Sequence, residues 1–237
     1  MDLAYARNPH KSAISAASAR FKRFAPETEA SIRNQTVTED PKLARIQAVW
    51  LETLRSRYSQ IAYRIDDILN KPEHKMHALV CKMRDLGASA KEIESFSLSI
   101  ANFQKESELE RKAGIFLSYL VTFSPDREGF VIHTGHLDAV PSGLCLANMK
   151  IITIKGPAGN SCGWDQQSGS ITVEGDAGDE LGVAMKGGII HVKGNCGDGI
   201  GSGMTGGKII IDGSYGRISQ SSRKNYMPNG DGIIIWV

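Results

Sequence analysis

Three residues close together in the chain have the types and spacing of metal ligands. His133, His136 and Asp138 bring two imidazoles and a carboxylate within six residues, and Zn²⁺ accepts both kinds of donor. A groove beside them that also held Asp165 would suit a stand-alone enzyme of unknown reaction. An HxxHxD pattern is non-specific, however, and no nucleophile–base pair accompanies it. We therefore assign no catalytic, cofactor-binding or metal residue, and we predict that His133 points inward from a first strand.

The four cysteines suggest packing more than reactivity. Cys81, Cys145, Cys162 and Cys196 lie far apart without a CxxC pair, which argues against a metal cage or a disulfide framework and favours a reducing, cytoplasmic compartment. In the repeat described below, Cys162 and Cys196 occupy columns that hold small or apolar residues in neighbouring coils. We predict that both thiols are buried and inert.

The segment from Lys82 to Ile93 resembles the turn of a helix-turn-helix motif. In a nucleic-acid-binding protein, Lys82, Arg84 and Lys91 would face the phosphates. Glu92 and Glu94 would lie on the same helix and repel them, so the pattern favours a plain αα-corner over DNA binding.

Composition sets few limits on function. The 237 residues are 41% hydrophobic and 23% charged, with a formal net charge of +2, which gives no global electrostatic reason to expect nucleic acid or a membrane surface. No apolar run reaches the ~18 residues that a membrane span needs. Residues 13–24 are rich in Ala, Ser, Lys and Arg and lack acids, a composition typical of a transit peptide or of a short amphipathic arm.

Glycine divides the chain into two parts. Residues 1–120 contain two glycines, whereas residues 121–237 contain the other 23. In the second part four columns of glycine recur with a period of ~19 residues, and a short fixed period predicts a solenoid. The columns are Gly156, Gly175, Gly194 and Gly213; Gly159, Gly178, Gly197 and Gly216; Gly163, Gly182 and Gly201; and Gly169, Gly188 and Gly207. We expect these glycines to form left-handed corners between three short faces.

A short β-branched run precedes each leading glycine. Residues two and four places before the glycine share one face of a strand, so we predict that they stack as aliphatic ladders inside the coils. They are Ile152 and Ile154, Ile171 and Val173, Ile190 and Val192, and Ile209 and Ile211. The residue directly before each leading glycine is expected to point outward. Its charge alternates from coil to coil, as Lys155, Glu174, Lys193 and Asp212. Ile233–Ile235 resembles a last strand, displaced by an irregular insertion near 217–231.

Residues 1–124 have helical patterns. Asn8-Pro9 and Asp40-Pro41 each place a capping side chain before proline. A stripe of apolar residues predicts one long helix over 41–70, a second helix from Pro72 to a left-handed cap at Gly87, and a third beginning at a Ser89–Glu92 capping box. We expect a bundle of three to five helices that covers the first edge of the β-helix.

The repeats from about 149 to 216 resemble the GXGXG family, which includes the C-terminal domain of the glutamate synthase large subunit and the C subunit of formylmethanofuran dehydrogenase. The resemblance rests on the stretches 175–188 and 194–207, and residues 1–124 resemble nothing that we can name. It implies a right-handed parallel β-helix that is structural rather than catalytic. No catalytic residue of the family carries over to this chain.

Together these patterns predict an α+β protein with a helical domain at 1–124 and a right-handed parallel β-helix at 125–237. The expected function is a non-catalytic scaffold or interaction subunit of an oxidoreductase-type complex, without a cofactor. The expected partners are protein subunits or a second copy, bound through the β-helix edge or the helical domain.

Overall fold

The computed structural model describes residues 40–56, 68–71, 73–74, 76–220 and 225–237. Residues Pro41–Val237 form one compact unit of α+β type. The described helices are α1 (Pro41–Arg55), α2 (His77–Leu86), α3 (Ala90–Ser99) and α4 (Leu109–Phe123), with a 3₁₀ helix at Ile100–Phe103. The strands are β1 (Phe130–His133), β2 (Ile151–Lys155), β3 (Ser170–Val173), β4 (Ile189–Val192), β5 (Lys208–Ile211), β6 (Asn225–Asn229) and β7 (Gly232–Trp236). No helix in these ranges has the length and apolar content to cross a membrane.

Several predicted features fall outside the described residues: the segment 13–24, the Asn8-Pro9 helix start, residues 57–67 of the long helix, and Pro72. The start of α1 at Pro41 is confirmed. The prediction of one continuous helix over 41–70 is wrong, because α1 ends at Arg55 and Ser56 is not helical. Helix α2 begins at His77.

A buried lysine accounts for the end of α1. Lys112 of α4 is 3% exposed, and its Nζ donates to the carbonyl oxygens of Leu54 at 2.8 Å and Ser56 at 2.9 Å. Carbonyl groups at a helix C-terminus have no intrahelical donor, and a cation there interacts favourably with the negative end of the helix dipole.

The turn between α2 and α3 follows the predicted signals. Gly87 ends α2 in the left-handed region at φ 53°. Ser89 and Glu92 form the capping box, with Glu92 Oε2 accepting from the Ser89 N–H at 2.9 Å and Ser89 Oγ accepting from the Glu92 N–H at 3.4 Å. Burial raises the pKa of Glu92, but the Ser89 N–H and the nearby Lys42 outweigh it, so the net pKa is lowered.

Helix α4 has no counterpart among the predicted amphipathic stripes, because residues on all sides of it are buried. Every residue from Lys112 to Val121 is buried, as expected of a helix enclosed by its own protein. A Cβ at Gly114 would overlap the Ser142 carbonyl oxygen, and Ser118 Oγ lies 3.0 Å from the Gly143 carbonyl oxygen. Helix α4 therefore packs directly on the first coil.

The second part is a β-solenoid of about four turns. Ile152 pairs with Ile171, Ile171 with Ile190 and Ile190 with Ile209, and each pair is parallel and one repeat apart. The eight residues predicted to form the inner ladders are each 0–1% exposed. They join the helical residues in one continuous hydrophobic core, so the inward assignment of the ladders is confirmed. Of the three expected faces, the described coils carry strands on one.

Strand β1 aligns one residue away from the predicted register. Phe130 pairs with Ile152, an offset of 22, and His133 therefore pairs with the outward Lys155. The prediction that His133 points inward is wrong, since a shift of one residue moves a side chain to the opposite face of a strand. Phe130 and Ile132 are the inner residues, at 1% and 0% exposure.

The C-terminal end of the sheet reverses direction. Strand β7 contains the predicted Ile233–Ile235 run, but it pairs antiparallel with β5 and continues the sheet to β6. Residues 225–229, expected within an irregular insertion, form β6 itself. Asn229 pairs with Gly232 across a two-residue turn in which Gly230 has φ 61°, a conformation typical of tight hairpins. The hairpin closes the parallel stack.

The repeating glycines serve two different purposes. The columns of Gly163 and Gly169 have positive φ, which confirms left-handed corners there. In the other two columns only Gly156 has a positive φ. The predicted left-handed conformation is therefore wrong for Gly159 and for six further glycines, Gly175, Gly178, Gly194, Gly197, Gly213 and Gly216. In those six the missing Cβ makes room for the preceding coil; at Gly175, for example, it would lie 2.7 Å from the Gly156 carbonyl carbon.

Candidate functional site

The metal candidates are not gathered into a site. Among the described residues, no three His, Cys, Asp or Glu side chains lie close enough together to hold a metal ion. His133 Nε2 lies 3.0 Å from Glu94 Oε1 of α3. The Asp138 N–H donates to Oε1 of Gln104, which follows the 3₁₀ helix, at 2.9 Å. His136, which lies between His133 and Asp138 in the chain, is partly buried.

Asp165 belongs to a corner of the solenoid. Its carboxylate pairs with Lys186 of the next coil at 2.6 Å, and its backbone has φ 55°. Ser161, Glu180 and Ala184 also have positive φ without being glycine, at 59°, 62° and 56°. They fall in the columns of Gly199 and Gly203, so each coil has two further left-handed corners that the glycine period does not reveal.

The burial predicted for Cys162 and Cys196 is confirmed, and Cys145 is buried as well. Cys145, Cys162 and Cys196 are 1–6% exposed and unpaired by disulfides. Burial raises the pKa of Cys196 to about 12. The hydrogen bond with Cys162, together with burial, raises the pKa of the Cys145 thiol well above its usual value. A thiol that stays protonated is a poor nucleophile and a poor metal ligand.

Two rows of side chains link each coil to the next. In one row, Asp176 Oδ1 accepts from the Asn195 N–H at 2.7 Å, and Asn195 Oδ1 accepts from the Ser214 N–H at 2.9 Å. The second row comprises Asn160 Oδ1 with the Asp179 N–H, Asp179 Oδ1 with the Asp198 N–H, and Asp198 Oδ1 with the Arg217 N–H, at 2.7–2.9 Å. We call these rows the Asx ladders. Their signal is visible in the sequence as Gly-Asn and Gly-Asp pairs that recur once per repeat.

The Asx ladders also account for the stretch from Gly197 to Gly201, which has a glycine spacing like that of a dinucleotide-binding loop. Asp198 in this stretch forms an ion pair with Arg217, whose Nη2 lies 2.9 Å from Asp198 Oδ2. No α-helix follows it in the described residues, so the helix N-terminus that would hold a pyrophosphate is absent there.

The predicted outward charge column is only partly paired. Lys193 Nζ lies 3.3 Å from Glu174 Oε1. Asp212 instead accepts from His191, with 2.8 Å between His191 Nε2 and Asp212 Oδ2.

Basic residues at the αα-corner have acidic partners nearby. Lys82 Nζ lies 2.7 Å from Glu52 Oε2, and Arg84 Nε lies 3.4 Å from Asp85 Oδ1. Lys91 is exposed. Nucleic-acid binding through these residues stays a prediction.

The sheet carries an apolar area on its outer face, where β4, β5, β7 and β6 meet. We call it the outer patch and define it as Ile189, Ile210, Met227, Ile234 and Trp236. Ile210 pairs with Ile234, and Ile234 pairs with Met227. Ile189 is 44% exposed and Met227 is 50% exposed, while the other three are half-buried.

Two charged residues of the same chain segment, Lys208 and Asp212, share the outward face of Ile210, two places to either side of it. Lys208 lies within the outer patch, between its partners Ile189 and Trp236 on the neighbouring strands, and Asp212 lies at the opposite margin. An exposed apolar area with polar or charged residues beside it is typical of a protein-binding surface. No protein-family model matches the chain, and no curated protein or solved structure matches it either.

Proposed function

We propose that the chain is a non-catalytic scaffold or interaction subunit whose partners are cytoplasmic protein subunits. One observation carries this proposal: side chains of the types used in catalysis are engaged in contacts that hold the fold together. The pairs are His133 with Glu94, Asp165 with Lys186, His191 with Asp212 and Asp198 with Arg217, at 2.6–3.0 Å. The outer patch supplies a surface for binding.

The GXGXG resemblance supports a place in an oxidoreductase-type complex, because the family's β-helices lie beside modules that carry flavin or metal. We further propose that the solenoid is right-handed, as about 98% of parallel crossover connections are. We also propose that the helices form a bundle. Trp50 of α1 supports this, since its ring centroid lies 5.9 Å from Phe96 of α3 and 5.2 Å from Phe116 of α4.

Stoichiometric co-purification tests the proposed function. We expect the tagged 237-residue chain to bring down protein subunits in fixed ratio, and mass spectrometry to identify them as subunits of an oxidoreductase. Met227→Glu places a charge in the outer patch and should abolish the capture. Met149→Glu is the matched control, because Met149 is 67% exposed and lies outside the patch.

Two results would contradict the proposal. One is a chain that purifies alone at every ionic strength. The other is salt-sensitive binding to a nucleic-acid duplex that is lost when Lys82, Arg84 and Lys91 are replaced, since phosphate contacts weaken as salt rises.

A further inference from the structure

We infer that the outer patch binds a second copy of this chain, face to face, about a two-fold axis that runs along the stack of strands. The inference rests on the proposed scaffold function and names a partner for it. Each copy would contribute the same residues, as an isologous interface requires.

The sheet edge is a poorer place for a partner than the sheet face. Strand β6 is the last strand of the sheet, and it contains Pro228. Proline has no N–H to donate to an added strand and is characteristic of protected edges. The antiparallel β7 also prevents a further parallel coil from continuing the stack.

The outer face has an apolar centre line that can meet its own copy. Ile210, Ile234 and Met227 lie side by side on three adjacent strands. A rotation about an axis parallel to this line reverses the strand direction and places the line against itself. Isoleucine and methionine side chains then bury apolar area on both copies, which is the main favourable contribution in most associations.

Charge distinguishes a second copy from a generic apolar partner. Lys208 lies on one side of the centre line and Asp212 on the other, because Lys208 begins β5 and Asp212 follows its last residue. The two-fold rotation exchanges the two sides. It therefore brings Lys208 of each copy opposite Asp212 of the other, so that an opposite-charge pair lies on each side of the centre line. The Asp212 carboxylate also accepts from His191 of its own sheet at 2.8 Å, which holds it in place on the outer face.

Sedimentation velocity of the 237-residue chain tests the inference. We expect a dimer at concentrations up to about 0.1 mM, the range in which weak but specific complexes form. Met227→Glu should raise the dissociation constant about tenfold or more, because a carboxylate would enter an apolar contact. The control Met149→Glu should sediment as the unchanged protein does. A monomer at every concentration would overturn the inference.

Two charge reversals test the geometry. Lys208→Glu alone and Asp212→Lys alone should each weaken self-association, since like charges would then face one another on both flanks. An equimolar mixture of the two variants should form mixed dimers, because every flank again pairs opposite charges. Circular dichroism melting establishes that both variants are folded before mixing. If both are folded and the mixture stays monomeric, the two-fold arrangement is wrong.

The outcomes separate this inference from the proposed function. A chain that is monomeric alone but captures another subunit through Met227 would contradict the second copy and retain the scaffold. A dimer that captures no other protein would retain the second copy and contradict the oxidoreductase complex.

Discussion

The backbone N–H of His133 donates a hydrogen bond to Ser97 Oγ at 3.0 Å. His133 ends β1, the first strand of the sheet, and an edge strand presents N–H groups that no neighbouring strand can accept. Ser97 is fully buried on α3, and one turn earlier Glu94 reaches the His133 ring at 3.0 Å. A single helix thus covers the edge at which the solenoid begins.

Replacing Ser97 with alanine should destabilise the protein by about 1–3 kcal/mol, because the His133 N–H would lose its acceptor. Urea unfolding measures the loss, and hydrogen exchange should locate it at β1. Ser99→Ala is the matched control, since Ser99 Oγ donates only to the Phe96 carbonyl within its own helix. Equal losses from the two substitutions would show that the contact to β1 contributes nothing.

The left-handed corners predict effects of different size at two glycines. Gly182 has φ 64°, and a Cβ there would lie 2.7 Å from Ile209 Cδ1 in the core. Gly182→Ala should therefore cost about 2–4 kcal/mol, from backbone strain and overpacking together. Gly203→Ala adds a Cβ at φ 65° whose nearest neighbours, backbone atoms of Ala184, lie at an ordinary contact distance of 3.9 Å, so only the strain of about 1–2 kcal/mol should appear. Urea unfolding compares the two variants, and equal losses would contradict the overpacking at Gly182.

Ala184 occupies the same column as Gly203 and has φ 56°. Ala184→Gly should stabilise the protein by about 0.5–1 kcal/mol, because the strain it relieves exceeds the extra freedom that glycine gives the unfolded chain. Thermal unfolding of the variant measures the gain. A lower melting temperature than that of the unchanged chain would contradict the corner assignment.

The Asx ladder at Asp198 predicts a dependence of stability on pH. The Arg217 backbone N–H, followed by its guanidinium, holds the pKa of Asp198 below its usual value. A carboxylate with a lowered pKa stabilises the folded state above its unfolded pKa of about 3.9, and the contribution is lost as pH falls through the folded value. Asp198→Asn should flatten the stability profile in this acidic range. Arg217→Gln should retain most of the dependence, because the backbone hydrogen bond remains.

Replacing the buried Lys112 should lower the free energy of unfolding, whereas replacing an exposed lysine should not. Lys112→Met would leave the carbonyl oxygens of Leu54 and Ser56 without their buried donor, at a cost of about 2–3 kcal/mol. Lys91→Met, on the exposed face of α3, should change stability by no more than about 0.5 kcal/mol. Chemical unfolding of both variants compares them, and similar midpoints would refute the capping role of Lys112.

Features that repeat locally were predictable from the sequence. The inner ladders follow from β-branched residues alternating ahead of a glycine that recurs once per repeat, as at Ile190 and Ile209. The capping box of Ser89 and Glu92 is equally local. Each depends on residues a few places apart or on one repeat distance.

Features that depend on a reversal of the chain or on a change of strand register were not predictable. Ile233–Ile235 has the composition of an inner strand in either direction, so its antiparallel pairing could not be read from the pattern. The face of His133 depended on an offset of 22 where the nearest glycine indicated 21. The outer patch was not predictable either, because Met227 and Ile210 share it only through the antiparallel β7 that lies between their strands.

The native mass of the chain, isolated under gentle conditions from cells that express it, tests the scaffold role most directly. A single chain weighs 25.7 kDa. We predict a larger species whose mass is accounted for by whole protein subunits, either a second copy or other chains, and which dissociates in the Met227→Glu variant. A lone species of 25.7 kDa, with no protein co-eluting, would contradict the role.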